Sequence, residues 1–223
     1  MHCNIKLPES VPPLSSAQPW TIRKLLPSEA AEVLAHMLRL NLDERRSRFF
    51  AGMGDAAITA HCDTIFAAGG IILGAFNQGV LRGIGELHRL DLVWNRSAEV
   101  AFSVEGPFQG CGIGTELLRR LIEVARNRAI RTVHCHCLVG NVAARRIAGG
   151  AGGALRCADG VISAQILQAW PSFWSLLSEA LADARAMWGQ RSNLSANGSG
   201  RFGCGFLCPR RSRPASPPGA EKT

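Results

Sequence analysis

The sequence predicts an α/β (α+β) protein, a mixed and mostly antiparallel sheet with helices on both faces. Two observations carry that prediction. Strand-like apolar runs alternate with stretches whose apolar residues recur at helical spacing, in the order strand, helices, three strands, helix, strand, helix, two strands. One Gly-rich loop, Gln109-Gly110-Cys111-Gly112-Ile113-Gly114, also joins the apolar stretch 100–104 directly to a helix-patterned run, 115–126. With 223 residues and 47% hydrophobic content the chain fills one core with appendages, since domains run to roughly 100–200 residues.

The elements follow from local chemistry. Residues 1–19 carry Pro8, Pro12, Pro13 and Pro19 with Ser10, Ser15 and Ser16, a composition expected to give a flexible leader. Residues 20–26 read as a first strand, and Pro27, Ser28 and Glu29 then supply an N-cap and a first-turn acid for a helix with Val33, Leu34, Met37 and Leu38 on one face. A second helical piece covers 42–50, and Asp55 is placed to cap a third that turns Ile58, Cys62 and Ile65 inward. The β-like runs 71–76 and 80–87, separated by Asn77-Gln78-Gly79, predict a hairpin. After the Gly-rich loop, Leu117, Leu118, Leu121, Ile122 and Ala125 form a stripe opposite Arg119, Arg120, Glu123 and Arg126. Strand 131–139 leads to Asn141 and a short helix, 142–148, and segments 155–158 and 161–167 form a last hairpin about Asp159-Gly160. The domain is thus expected at 20–168. An additional amphipathic helix at 169–188, begun by Pro171, needs cover for Phe173, Trp174, Leu177 and Leu181 from its own domain or a dimer mate. Residues 189–223, dominated by Gly, Ser, Pro and Arg, are expected to be a disordered tail.

Composition removes several functional classes. No stretch approaches the ~18 apolar residues of a membrane span, and residues 1–8 lack the h-region of a secretory signal. The expected compartment is the cytoplasm. Of the net charge of +8, the tail holds five, so the basicity reads as a solvated tail without a nucleic-acid motif or stacking platform. Eight cysteines without regular spacing read as free thiols, not a disulfide framework. His134-Cys135-His136-Cys137 lies in a predicted strand, where successive side chains point to opposite faces and do not converge on one metal ion.

The Gly-rich loop is a phosphate cradle. Glycines remove the Cβ atoms that keep a ligand off the backbone, and the unpaired N–H groups of a helix start attract an anion. A dinucleotide fingerprint would need G-x-G-x-x-G and an acid at the end of the next strand, whereas this loop reads G-x-G-x-G and residues 132–139 hold no acid. A P-loop would need Gly-Lys-Ser/Thr, which the chain lacks. The remaining pattern, Q-x-x-G-x-G between strand and helix, with Ala98-Glu99-Val100-Ala101-Phe102 ahead and Asn141-Val142-Ala143-Ala144 behind, resembles the GCN5-related N-acetyltransferase (GNAT) superfamily over residues 20–167.

That resemblance implies acetyl-coenzyme A as cosubstrate and an amine as acceptor. It places the pyrophosphate on the main chain of Gln109, Gly110, Cys111, Gly112, Ile113, Gly114 and Thr115. The pantetheine arm falls along Phe102, Ser103 and Val104, and Asn141 bonds the coenzyme or caps its helix. Glu99 matches the position of a general base, with an ordinary surface or salt-bridged glutamate as its alternative and Glu86 in reserve. A base is needed because a lysine-type amine is protonated at neutral pH, its reference pKa being ~10.4. Glu105 is expected to face solvent. Many family members use a tyrosine as general acid near the position of Ala148, yet this chain has no tyrosine. A thiol of pKa about 8.5 is a tolerable leaving group without one. Residues 40–50, with Ser47-Arg48-Phe49-Phe50, resemble the corresponding segment of bacterial protein-lysine acetyltransferase domains, with Arg45, Arg46 and Arg48 alternatively a solvated face. Small-amine or antibiotic acetylation and non-catalytic acyl-coenzyme A sensing are the other readings.

Overall fold

The computed structural model of the chain describes residues 20–66, 69–90 and 96–197, with side chains as far as residue 185. A seven-stranded sheet in the order β1-β2-β3-β4-β5-β7-β6 forms its centre. The strands are β1 (Thr21–Lys24), β2 (Ile71–Asn77), β3 (Val80–Arg89), β4 (Ser97–Val104), β5 (Thr132–Leu138), β6 (Ala154–Ala158) and β7 (Val161–Leu167). Every pairing is antiparallel except β4 with β5. Both expected hairpins form: Gln78 and Gly79 turn the first, Asp159 and Gly160 the second, all four with positive φ as a type I′ turn requires.

Helices cover both faces. On one lie α1 (Ala30–Arg39), α2 (Leu42–Phe49) and α3 (Asp55–Ile65), and on the other α4 (Ile113–Asn127) and α5 (Val142–Gly150). The alternation of strand side chains sorts the core in two. Leu117, Leu118, Leu121 and Ala125 of α4 pack on Leu73, Leu87, Val100 and Val133, while Val33, Met37, Ile58 and Cys62 pack on Ile72, Phe76 and Ile84. Full burial of a Leu, Ile or Val is worth roughly 1.5–3 kcal/mol each, so the two layers fix the sheet that holds the site.

Several expectations need correction. Gly54 is the N-cap of α3, and Asp55, one residue in, gives its carboxylate to Arg45 Nη1 at 2.7 Å. Arg45 is no part of a solvated face: it is buried and also donates to the carbonyls of Leu40 and Leu38. The last helix, α6 (Phe173–Asn197), runs past residue 188, because Gln190, Arg191, Leu194 and Ala196 suit a helix and no proline interrupts it. Nor does α6 dock through its aromatic residues. Glu179 bonds Lys24, Asn127 and Arg128, and buried Ser175 donates to Asn127, whereas Phe173 and Trp174 stay 71% and 75% exposed. The expected leader, 1–19, and the expected tail beyond residue 197 lie outside the described residues.

Candidate active site

The Gly-rich loop folds as its composition demands. Gly110 and Gly112 have φ of +76° and +81°, a region open to glycine and strained for other residues. Gly112 is the N-cap of α4 and provides no side chain to the helix end. The N–H groups of Ile113, Gly114 and Thr115 therefore stay unclaimed by the helix, at the positive end of its dipole. No atom lies within 4 Å of a Cβ built on Gly110 or Gly112, so the space above them belongs to a ligand or to water. Gly114 serves packing instead, since a Cβ there would meet Ile147 Cδ1 at 3.0 Å.

A cleft of about 670 Å³ runs from this loop into the sheet. It opens because β4 and β5 pair only from Ser97–Val100 to Thr132–Cys135 and then separate. Ala101 to Val104 remain bonded to β3 on one edge while the other faces the gap. Phe102, Ser103, Val104, Gln109, Gly110, Gly112, Ile113, Gly114, Thr115 and Asn141 all line this cleft, so the spacing read from the sequence converges on one place. Cys111 does not line it; its exposed Sγ turns back to the Gln109 carbonyl at 3.6 Å. Gln109 ties the loop to the strand, its Nε2 donating to the Val104 carbonyl at 2.9 Å. Asn141 caps α5 by accepting from the Ala144 N–H at 2.9 Å.

The acids separate into two kinds. Glu86 is fully buried, receives Arg48 Nη2 at 2.5 Å and lies 3.0 Å from His88 Nε2. Burial alone would raise its pKa, but the Arg48 charge and the neighbouring imidazoles hold it far below the usual carboxylate range. Its lone pairs are committed, which removes it as a reserve base. Glu105, expected at the surface, is buried instead: Arg39 Nε donates to Oε1 at 2.8 Å, Arg82 Nη1 to Oε2 at 2.9 Å, and His36 Nδ1 lies 3.1 Å from Oε1. Against the upward push of burial, these partners hold it at about 2. His36 Nε2 in turn bonds Ser103 Oγ at 3.0 Å. Because His36 is fully buried and Glu105 is paired with two arginines, this Ser-His-Glu row clamps α1 to the end of β4. It leaves only the main chain of Ser103 for the cleft.

Glu99 differs from both. It is half-buried on the sheet face opposite α4, in register with His88 of β3 and His134 of β5, and among the described residues its carboxylate has no hydrogen-bond or ion-pair partner. It stands just outside the cleft lining. Past it, the same face carries His134, His136, Ser163 and Gln165, all at least partly exposed.

Comparison with known proteins decides the class. The model of the acetyltransferase (GNAT) family matches residues 35–149, just over half the chain. The chain belongs to this family. Solved structures similar in fold include the GNAT domain of PAT from S. lividans, 22% identical with a TM-score of 0.58 over 66% of this chain and 89% of that one. Another is yncA from Salmonella typhimurium, solved with its cofactor acetyl-CoA, 18% identical with a TM-score of 0.53 over 70% and 99%. A third is a ribosomal-protein-alanine N-acetyltransferase from Brucella melitensis, 20% identical with a TM-score of 0.53 over 66% and 99%. No curated protein sequence matches the chain. Among the described residues no helix of this acetyltransferase is long and apolar enough to cross a membrane.

The family's cosubstrate, acetyl-CoA, fits what these residues offer. The uncapped α4 N-terminus with open space over Gly110 and Gly112 suits the pyrophosphate, and the free edge of Ala101 to Val104 suits the amide-bearing pantetheine arm. Bound there, acetyl-CoA supplies an activated acetyl thioester to an amine. Among the parts of the cleft that sequence reasoning missed are Asp43 and Glu44 on α2, Arg146 on α5 and His136 on β5. Only the strand alternation, which sends Cys135 and Cys137 into the core and His136 outward, could have flagged the last.

Proposed function

We propose that this N-acetyltransferase uses Glu99 as general base and modifies a primary amine, foremost a lysine side chain on the surface of a folded protein. The observation that supports the reading is the Glu99 carboxylate, unpartnered among the described residues, on a sheet face whose neighbours, His134, His136, Ser163 and Gln165, are all accessible in part. A protruding lysine can reach such a face. A free backbone N–H of Ala101 to Val104 would stabilise the oxyanion that forms on the acetyl carbonyl. Since Glu99 stands outside the cleft lining, the amine proton reaches it across an intervening group or water.

A small cationic amine is the second reading, and one observation favours it. Asp43 is exposed at the cleft with Glu44 beside it, while the charge of Arg48 is offset by Glu86. Incubation with acetyl-CoA and either lysate proteins or polyamines and aminoglycosides separates the two. Acetyl-lysine on one or a few folded proteins, formed faster than any acetylated polyamine, supports the first reading; faster turnover of a polyamine refutes it. The five described cysteines are free thiols, which fits a reducing, cytoplasmic setting. A homodimer that covers the exposed aromatic residues of α6 is checked by sedimentation.

A further inference from the structure

Where β4 and β5 part, β5 contributes Cys135, His136 and Cys137 to the cleft. The two thiols belong to the core, each 2% exposed, and burial holds both pKa values up, that of Cys135 at about 12. His136 alone of the three sits on the accessible face. Its ring is held from the neighbouring strand, with Nδ1 2.9 Å from Ser163 Oγ, and it stacks on His134 with centroids 6.5 Å apart and planes 6° from parallel. His134 lies in register with Glu99. The face thus carries a row, His136, His134, Glu99, that begins in the cleft and ends at the carboxylate outside it.

We propose that His136 is a further catalytic residue, the proton acceptor facing the amine, and that Ser163 is its positioning residue. The inference rests on the amine-acetylation reading above. With Nδ1–H donating to Ser163 Oγ, the Nε2 lone pair is left for a proton. An ammonium acceptor first loses one proton to Nε2 of His136, and water on the accessible face carries it on past His134 to Glu99 and solvent. The nitrogen–carbon bond then forms as the carbon–sulfur bond breaks. The second amine proton goes to Nε2 and from there to the departing thiolate, giving amide, thiol and one released proton. This arrangement brings a base to the cleft that Glu99 does not reach by itself, and it does so without the tyrosine that the chain lacks.

The charged groups around His136 are Glu99 and His134 on its own face, Glu86 and His88 on β3, Asp43, Glu44 and Arg48 from α2, Arg146 from α5 and Arg156 on β6, in register with Ser163. Of these carboxylates Glu86 is held in an ion pair with Arg48, whereas Glu99 is in none among the described residues.

The test compares wild type, His136→Gln, Ser163→Ala, Ser163→Thr and Glu99→Gln by acceptor-dependent thiol release between pH 5.5 and 9, alongside imidazole NMR with and without coenzyme A. Expected are a loss of about 10²-fold or more in kcat for His136→Gln with little change in KM for acetyl-CoA. The acid limb of the pH profile should disappear in that variant. Ser163→Ala should lose roughly tenfold and Ser163→Thr should recover most of it, a pattern general to hydrogen-bonded positioning groups. Coenzyme A should shift the His136 ring resonances in wild type. Full turnover of folded His136→Gln beside an impaired Glu99→Gln overturns the inference and leaves the Glu99 reading intact, and ring resonances indifferent to coenzyme A overturn it as well. If wild type releases no thiol with any amine, both fall.

Discussion

Replacing Gly112 by Val separates binding from folding, because the residue has φ of +81° and, its chain neighbours aside, no described atom within 4 Å of a would-be Cβ. The left-handed conformation costs a non-glycine residue roughly 1–2 kcal/mol, somewhat more when β-branched. A domain with stability of about 5–15 kcal/mol survives that loss. Binding suffers differently. The new side chain occupies the space over the uncapped N–H groups of Ile113, Gly114 and Thr115, and each hydrogen bond lost to an ionised phosphate is worth about 1.5–3 kcal/mol, roughly 10- to 150-fold in Kd. Acetyl-pantetheine lacks the pyrophosphate and should feel almost none of this. Calorimetry should therefore show wild type binding acetyl-CoA more tightly than acetyl-pantetheine, and Gly112→Val binding both alike, with a melting transition lowered but cooperative. Equal wild-type affinity for the two ligands, or a folded Gly112→Val that keeps the full preference, would refute the reasoning.

Glu99→Gln should lower turnover by about 10²-fold or more at neutral pH with coenzyme affinity unchanged, the deficit shrinking as rising pH deprotonates the amine in solution; stopped assays across pH check it. Glu86→Gln should cost about 3–5 kcal/mol in urea denaturation, because it leaves the Arg48 guanidinium buried without its counter-charge. Glu105, held at about 2 in the fold, would titrate near ~4.3 when unfolded. Its contribution is therefore complete above that value and lost as pH falls through about 2. The melting temperature of wild type should drop across that window more steeply than that of Glu105→Gln, and parallel curves would contradict the assignment.

The cradle was legible because its signal is local. Glycines at fixed offsets before a helix need positive φ and open space, and Gly110 and Gly112 meet those needs within three residues of chain. The hairpins about Gly79 and Gly160 were legible for the same reason. Charge pairing was not. Arg48 finds Glu86 and His36 finds Glu105 across 38 and 69 residues of sequence, so periodicity alone made solvated surface of side chains that the fold buries. The same blindness hid His136: its partner, Ser163, stands beside it only because β7 inserts between β5 and β6. In α6 the helical spacing was right, but the docking surface turned out to be the polar edge around Glu179, a choice fixed by Lys24 and Arg128 on other elements.

The most direct test of the central claim is transfer of a labelled acetyl group. Purified protein is incubated with acetyl-labelled coenzyme A and an amine-bearing acceptor pool, protein and small-molecule, and product is counted against thiol released. Label should appear on amine nitrogen in one-to-one ratio with free thiol, dependent on acceptor and abolished by Gly112→Val at low cosubstrate concentration. Thiol release without acceptor-bound label, or no release with any amine, would contradict the account.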